Sequence, residues 1–205
     1  MSAPKIAIVY YSMYGHILKL ADTMSATLTK AGCSVKTLQV QETLPENVLE
    51  MMHAPPKADH PIATPEDLVE ADGVLFGIPT RFGMAPAQMK AFMDMTGQLW
   101  GQQKLLGKPA GIFFSTASMG GGQETTALTF VTQLTHHGMV FVPLGFPHPG
   151  QSNLDEVHGG SAYGAGTLAG GDGSRMPSEL ELSIAEMQAT NFAKIVKKLA
   201  AKDEE

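Results

Sequence analysis

Short apolar runs alternate along the chain with longer segments whose apolar residues recur every three or four positions. The first run, 5–11 (KIAIVYY), is continuous and β-prone, and apolar residues at helical spacing follow it from Ile17 to Ala31. Four further runs predict strands at 35–40, 73–78, 110–114 and 139–144. Alternating strands and helices with right-handed crossovers predict an α/β fold built on a doubly wound parallel sheet with helices on both faces.

Capping and turn residues divide the rest of the chain. The loop 43–65 contains five prolines and leaves room for one helical turn near 46–51. A loop at 79–86 precedes a helix that we expect to continue through Leu99, and another helix is predicted over 123–137. Ser178 and Glu181 have the spacing of a capping box and open the last helix. These elements describe a single domain, 1–205, with a glycine-rich insertion at about 146–177 that we expect to be ordered by another subunit.

Composition and charge narrow the functional classes. The chain has 205 residues, 43% of them hydrophobic, which suits one domain with a substantial core. The formal net charge is −6 and the basic residues are scattered, so nucleic acid is not an expected partner. Cys33 is the one cysteine, which is compatible with a reducing compartment. The run 6–11 is too short to span a membrane, and we expect a cytoplasmic protein without an integral membrane segment.

The loop after the first strand has the features of a phosphate site. It opens a helix directly after a buried strand, so that hydroxyl and backbone N–H groups converge at the positive end of the helix dipole. It lacks the ending of a Walker A loop and the three spaced glycines of a dinucleotide loop, and a phosphomonoester such as that of FMN is favoured. The residues predicted to contact the cofactor here are Ser12, Met13, Tyr14, Gly15, His16 and Ile17.

Two further loops follow strands that end at the same edge of the sheet. The loop after the third strand exposes an arginine and an aromatic ring, which suit a planar ligand that gains negative charge. The loop after the fourth strand offers hydroxyls, backbone N–H groups and glycines that permit close approach. The predicted contacts are Pro79, Thr80, Arg81, Phe82 and Gly83 in the first of these loops. In the second they are Ser115, Thr116, Ala117, Ser118, Met119, Gly120 and Gly121.

Trp100, the only tryptophan, could wall a ring-binding cleft or pack in the core, and the pattern alone leaves both interpretations open. His136 and His137 are adjacent, so their side chains point apart. We therefore expect one histidine with its hydrogen bonds satisfied, one exposed histidine and no shared metal site.

Taken together, SMYGHI, PTRFG, ST…GGGQE, TGQLW, HHGM and the late GGSAYGAGTLAGGDGSR resemble the WrbA-type NAD(P)H:quinone oxidoreductases of the flavodoxin-like family. The resemblance covers nearly the whole chain. It implies a flavodoxin-like five-stranded sheet of order 2-1-3-4-5 and a homotetrameric enzyme. It also implies that FMN takes hydride from NADH or NADPH and passes two electrons to a quinone, and we expect a ping-pong cycle.

By the same resemblance, Tyr14 meets the nicotinamide nucleotide. Arg81, Trp100 and His136 are the implied catalytic residues. Trp100 and His136 line the pocket over the exposed flavin face. We further expect Arg81 and His136 to steady charge on reduced flavin and on the quinone oxygen.

Two alternatives share parts of this pattern. A one-electron flavodoxin-like carrier, or a flavin-binding interaction protein with little turnover, would use the same cofactor loops. The long segment 146–177 argues against it, because a minimal carrier does not need it. A receiver domain of the same topology requires an acceptor aspartate after the third strand, where this chain has Pro79 and Thr80.

Overall fold

The computed structural model describes residues 2–200, which form a parallel sheet covered by helices on both faces. The strands are β1 (Lys5–Tyr10), β2 (Ser34–Gln39), β3 (Gly73–Pro79), β4 (Pro109–Thr116), β5 (Val140–Phe141) and β6 (Gly166–Leu168). The α-helices are α1 (His16–Lys30), α2 (Glu46–Met51), α3 (Pro65–Glu70), α4 (Ala87–Asp94), α5 (Gly97–Gly101), α6 (Gln123–His136) and α7 (Glu179–Ala200), with a 3-10 helix at Pro149–Ser152.

The sheet has the predicted order β2-β1-β3-β4-β5, and every pairing is parallel. Ile6 lies between Val35 and Gly73 in register, and Val74 lies beside Ala110. The carboxyl ends of β1, β3 and β4 are therefore neighbours, as the argument for a common ligand site requires. The flavodoxin-like α/β fold is confirmed.

The edge of the sheet beyond β4 differs from the prediction. The run 139–144 was expected to form one strand, but β5 contains only two residues, which pair with the start of β4. The end of β4 pairs instead with β6, in the same direction. Strands β5 and β6 therefore lie one after the other along the same edge of the sheet. Most of the predicted insertion lies between these two strands in the sequence, so it interrupts the edge strand instead of following it. The sheet consequently has six strands in five positions.

Close backbone contact explains the glycines around β6. A Cβ atom at Gly164 would lie 2.0 Å from the carbonyl oxygen of Ile112, and one at Gly166 would lie 2.6 Å from the backbone nitrogen of Gly160. No side chain fits in either place, so these glycines serve packing of the insertion against β4.

Alternate residues of the strands supply two separate cores. Ile6, Ile8 and Tyr10 of β1 face a cluster built with α1 and α7. Ala7 and Val9 face the opposite cluster, to which α3, α4 and α6 contribute. Nearly all of β1, β3 and β4 is buried, which is typical of strands covered on both faces.

Two local features refine the predicted elements. The helix expected to run through Leu99 ends at Asp94, and the short α5 starts after Thr96. Within residues 159–178, several backbone N–H groups donate to Glu181 of α7 or to Gln123 of α6, so contacts within the chain order part of the insertion. A contact with another subunit stays a prediction. None of the helices within residues 2–200 has the length and apolar character needed to cross a bilayer.

Candidate functional site

The loop after β1 forms a compact turn at the start of α1. Gly15 adopts a left-handed conformation with φ of 91°, and its N–H donates to the Ser12 hydroxyl at 3.1 Å. The first-turn N–H groups of His16, Ile17 and Leu18 have no acceptor within the helix. A turn of this kind, at the positive end of a 15-residue helix, suits a phosphate group.

Some side chains of this loop are buried and hold it in place, and others are exposed. Met13 and Ile17 are buried. His16 is also buried, and its Nε2 donates to the carbonyl oxygen of Gly173 in the insertion at 3.1 Å. Tyr14 is 43% exposed, and its hydroxyl donates to the Met52 carbonyl oxygen at 3.0 Å. The backbone and Tyr14 are therefore available to a ligand, whereas the His16 imidazole is engaged by the protein.

A carboxylate cluster beside this loop was not predicted from the sequence. We call it the Glu42 cluster. Glu42 accepts hydrogen bonds from the Tyr11 hydroxyl, the Gln88 amide, the backbone N–H groups of Thr43 and Leu44, and the Lys57 ammonium. Burial acts to raise the pKa of Glu42, but the hydrogen bonds outweigh it and lower that pKa to about 2. The carboxylate is thus ionised at neutral pH.

The Glu42 cluster fixes the residue that precedes the phosphate loop. Burial, reinforced by the hydrogen bond to Glu42, raises the pKa of Tyr11, so its hydroxyl stays protonated and keeps donating. Lys57 also lies 3.4 Å from the Ser12 carbonyl oxygen and 4.6 Å from the centre of the Tyr11 ring. No spacing in the sequence relates positions 11, 42, 57 and 88, which meet only through the fold.

The loop after β3 is a tight turn that presents an aromatic side chain to the outside. The backbones of Arg81 and Met84 exchange two hydrogen bonds, at 2.8 and 3.0 Å. The two residues between them, Phe82 and Gly83, both have positive φ, which is the pattern of a type I′ turn. Positive φ is uncommon for a bulky residue, and the Phe82 side chain is fully exposed. Arg81 is also exposed, with Nη1 donating to the Thr80 carbonyl oxygen.

Hydrogen bonds join this loop to the next one. The Thr80 N–H donates to the Ser115 carbonyl oxygen at 2.8 Å. The Thr80 and Thr126 hydroxyls lie 2.9 Å apart, and because Thr126 donates to the Gly122 carbonyl oxygen, Thr80 must be the donor between them. A Cβ atom at Gly122 would come within 3.0 Å of the Gly83 Cα, so the two loops touch.

The loop after β4 begins later than the sequence suggested. Ser115 and Thr116 belong to the strand and are buried, while residues 117–121 are exposed. The Thr116 hydroxyl donates to the Ser118 carbonyl oxygen and accepts from the Gln123 amide, so the protein satisfies it internally. The exposed backbone of this loop, including its glycines, is therefore the part that a ligand can contact.

The two residues expected over the flavin face are both accessible. Trp100 lies on α5 and is 58% exposed, so it is not a core residue. His136 is the last residue of α6 and is exposed, whereas His137 is buried against Thr96. His136 is thus the exposed histidine of the expected pair, while His137 is hydrogen-bonded through one ring nitrogen.

The geometry fits FMN. A helix N-terminus with a hydroxyl and free N–H groups lies at the end of β1, and two mutually bonded loops with exposed planar and glycine-rich surfaces follow β3 and β4. The predicted residues of all three loops lie along this edge of the sheet.

Comparison with known proteins agrees with this fit. The NADPH-dependent FMN reductase family matches residues 4–151. The quinone-oxidoreductase QR2 of Triphysaria versicolor is 56% identical over 199 residues, which cover 96% of this chain and 97% of that protein. The NAD(P)H quinone oxidoreductase PST3 of Candida albicans is 54% identical over 198 residues, covering 96% of this chain and 100% of the relative.

Among solved structures, a WrbA-like flavodoxin protein of Agrobacterium tumefaciens superposes with a TM-score of 0.64 at 21% identity, covering 96% of this chain and 99% of that one. This likeness supports the fold, while the sequence relatives establish the family. The chain belongs to the NADPH-dependent FMN reductase family and, within it, to the WrbA-type quinone oxidoreductases.

Proposed function

We propose that this chain is an FMN-dependent NAD(P)H:quinone oxidoreductase that reduces quinones by two electrons in a ping-pong cycle. The observation that carries the proposal is the convergence of three loops, after β1, β3 and β4, at one edge of the sheet in a chain of this family. When bound, FMN supplies the redox chemistry, accepting hydride from NADH or NADPH and delivering it to the quinone. The protein supplies binding, orientation and exclusion of water.

The loop 12–17 would hold the FMN phosphate. The Ser12 hydroxyl and the first N–H groups of α1 can donate to phosphate oxygens, and each charge-assisted hydrogen bond contributes about 1.5–3 kcal/mol. The loop itself contains no lysine or arginine, so backbone dipoles carry most of this task. Tyr14, half-exposed beside the loop, would contact the nicotinamide nucleotide.

The loops 79–83 and 115–121 would hold the flavin ring and the ribityl chain. Arg81 carries a fixed positive charge and would favour the anionic character of a reduced flavin held by these loops. Trp100 and His136 would form the wall of the pocket that nicotinamide and quinone enter in turn. The exposure of both side chains is compatible with that role.

A binding and turnover experiment tests this proposal. We expect the purified chain to bind FMN with quenching of flavin fluorescence, and to show parallel steady-state lines when NADPH is varied at several benzoquinone concentrations. Gly15→Ala should weaken FMN binding because alanine is strained at a φ of 91°. Gly171→Ala, where the added methyl meets open space, is the matched control. Intersecting lines would exclude ping-pong kinetics, and failure to bind FMN would overturn the proposal as a whole.

The one-electron carrier is the second candidate, since it would use the same loops. A stepwise anaerobic reduction distinguishes the two. Accumulation of one-electron-reduced flavin would favour the carrier, while direct passage to the two-electron-reduced form supports the quinone oxidoreductase.

We further propose a cytoplasmic homotetramer. Ten large apolar side chains within residues 2–200 are more than half exposed in the single chain: Met51, Phe82, Met84, Met95, Trp100, Leu106, Met119, Phe146, Leu154 and Val157. A homotetramer would bury part of this apolar surface against other copies of the chain. Light scattering should give four times the chain mass, and a monomer at working concentration would refute the tetramer. Fractionation of cells should find the protein in the cytoplasm.

A further inference from the structure

The helix that carries Trp100 is too short to stabilise itself. Helix α5 has only five residues, and isolated helices of that length are not stable in water. Its N-cap residue is Thr96, which is 1% exposed and whose carbonyl oxygen accepts the Trp100 N–H at 3.0 Å. The placement of Trp100 therefore depends on what holds Thr96.

Thr96 is held by a histidine from another helix. The His137 Nε2 lies 2.7 Å from the Thr96 hydroxyl oxygen, and both side chains are more than nine-tenths buried. The Thr96 hydroxyl has one hydrogen, which it donates to the Met93 carbonyl oxygen at 2.6 Å. His137 must then donate from Nε2, which assigns its tautomer.

The Nε2 contact is the side-chain hydrogen bond that holds the His137 ring, because among residues 2–200 the buried Nδ1 of that ring has no hydrogen-bond partner. Burial, with the neighbouring His136, lowers the pKa of His137, so the ring is neutral at neutral pH and Nδ1 carries no hydrogen. The histidine thus forms a single side-chain hydrogen bond at a buried position, where an unpaired polar atom is costly.

Each partner lies close in sequence to one of the two pocket residues. His137 is adjacent to His136 at the end of α6, and Thr96 lies one helical turn before Trp100 of α5. We propose that the Thr96–His137 hydrogen bond is a positioning device that sets Trp100 on α5 and His136 on α6 in one fixed arrangement. This inference rests on the proposed function for its effect on turnover, although the positioning itself can be measured without turnover.

Removal and restoration of the hydroxyl provide the main test. Thr96→Val keeps the branched shape and removes the hydrogen bond, whereas Thr96→Ser restores the hydroxyl. Thr132→Val removes an exposed hydroxyl that donates to the Thr129 carbonyl oxygen in α6, and serves as the matched control. We expect Thr96→Val to raise the quinone KM about three- to tenfold without changing FMN affinity, and Thr96→Ser and the control to stay within about twofold of the parent.

The fluorescence of Trp100, the only tryptophan, reports the position of α5 directly. In the FMN-saturated protein, Thr96→Val should lower the anisotropy of Trp100 and increase its quenching by acrylamide, and Thr96→Ser should reverse both changes. If Thr96→Val does not fold, His137→Gln and His137→Leu form a second pair, because the glutamine amide can donate near the Nε2 position.

The outcomes separate the two proposals. Unchanged anisotropy and an unchanged quinone KM in Thr96→Val would overturn the positioning role. Changed anisotropy in a parent protein that fails to reduce any quinone would support the positioning of α5 while refuting the proposed function. The double variant Thr96→Val with His137→Leu should be no worse than either single variant, since both remove one shared interaction.

Discussion

Two carboxylates, Glu42 and Glu181, each gather the hydrogen-bond donors of a long loop beside the proposed FMN site, but they do so at different depths. Glu181 is fully buried, and the Glu181 cluster consists of the backbone N–H groups of Gly159, Leu168 and Ser178 with the side chains of Thr167 and Arg175. Glu42 is 14% exposed in its side chain and organises the loop 43–65 through the Glu42 cluster. Both carboxylates are compensated by one cation and several neutral donors.

Because Glu42 is partly exposed and Glu181 is not, water can replace lost hydrogen bonds around Glu42 but not around the Glu181 carboxylate. Glu181 is shielded from solvent, so the backbone N–H groups of Gly159 and Leu168 would lose their acceptor if the carboxylate were lost. The Arg175 Nη1, 2.9 Å away, would lose its ionic partner but retain the Leu168 carbonyl oxygen. Around Glu42, water can enter and substitute for part of the lost interaction. We therefore interpret the Glu181 cluster as a condition for the fold of the insertion and the Glu42 cluster as an adjustable support for the phosphate loop.

The largest effect is expected from Glu181→Gln. The amide keeps the size of the side chain but removes the charge that compensates Arg175, and its NH2 group would oppose the donors of Ser178 and Thr167. Breaking a buried ion pair in this way costs about 3–5 kcal/mol of unfolding free energy. Denaturant unfolding measures the loss. Glu179→Gln, an exposed carboxylate in the same helical turn, is the control, and a loss below about 1 kcal/mol would show that the two clusters do not differ.

A smaller effect is expected from Glu42→Gln. The amide oxygen can still accept from Tyr11 or Gln88, and water can reach the Lys57 ammonium, so the loss should be about 1–2 kcal/mol. Because Tyr11 directly precedes the phosphate loop, FMN affinity should fall more than overall stability. Flavin fluorescence titration tests this, with Glu46→Gln as the exposed control. If Glu42→Gln binds FMN as tightly as the parent, the Glu42 cluster does not support the cofactor site.

The dependence of unfolding free energy on pH in the acidic range provides another test of the Glu42 cluster. The pKa of Glu42 is lowered from 4.5 to about 2, so its contribution to stability is fully present above about pH 4.5 and is lost as the pH falls towards about 2. The stability difference between the parent and Glu42→Gln should accordingly be constant at neutral pH and shrink below about pH 4.5. Unfolding followed at several pH values tests this sign. A difference that grows on acidification would mean that the pKa is raised.

The same two clusters show what the sequence can predict. The spacing of Ser178 and Glu181 predicted a capping box, and the structure confirms it, with the Ser178 N–H donating to Glu181 at 2.9 Å. Capping is local, and so it is visible in the sequence. The other partners of Glu181 reach it only because the insertion folds back onto β4, and nothing in the spacing of 159, 167 and 175 indicates this.

The candidate site was predictable for a related reason. The ends of parallel strands share one edge of a sheet, so the three loops could be assigned to one site once the strands were recognised. The fifth strand was wrong in its bounds because an apolar run cannot show that an edge strand is interrupted after two residues and resumed at β6. The Thr96–His137 hydrogen bond could not be predicted either, since it joins two helix ends 41 positions apart.

The smallest effect is expected from Lys57→Gln. The Lys57 and Arg175 side chains are similarly exposed, at 31% and 29%, so the contrast lies in the carboxylates. Glu42, 2.8 Å from the Lys57 ammonium, is itself 14% exposed, and partly exposed ion pairs contribute about 0–1 kcal/mol. Glu42 would keep its two side-chain donors and its two backbone donors, so the cluster should persist without the cation. Arg175→Gln provides the contrast, because Glu181 would then hold an uncompensated charge at a fully buried position. Chemical denaturation by urea at low and high salt should show a small, salt-sensitive loss for Lys57→Gln and a several-fold larger, salt-insensitive loss for Arg175→Gln. Equal losses would mean that depth does not decide how these carboxylates act, and that the cation in each cluster carries the same share of its stability.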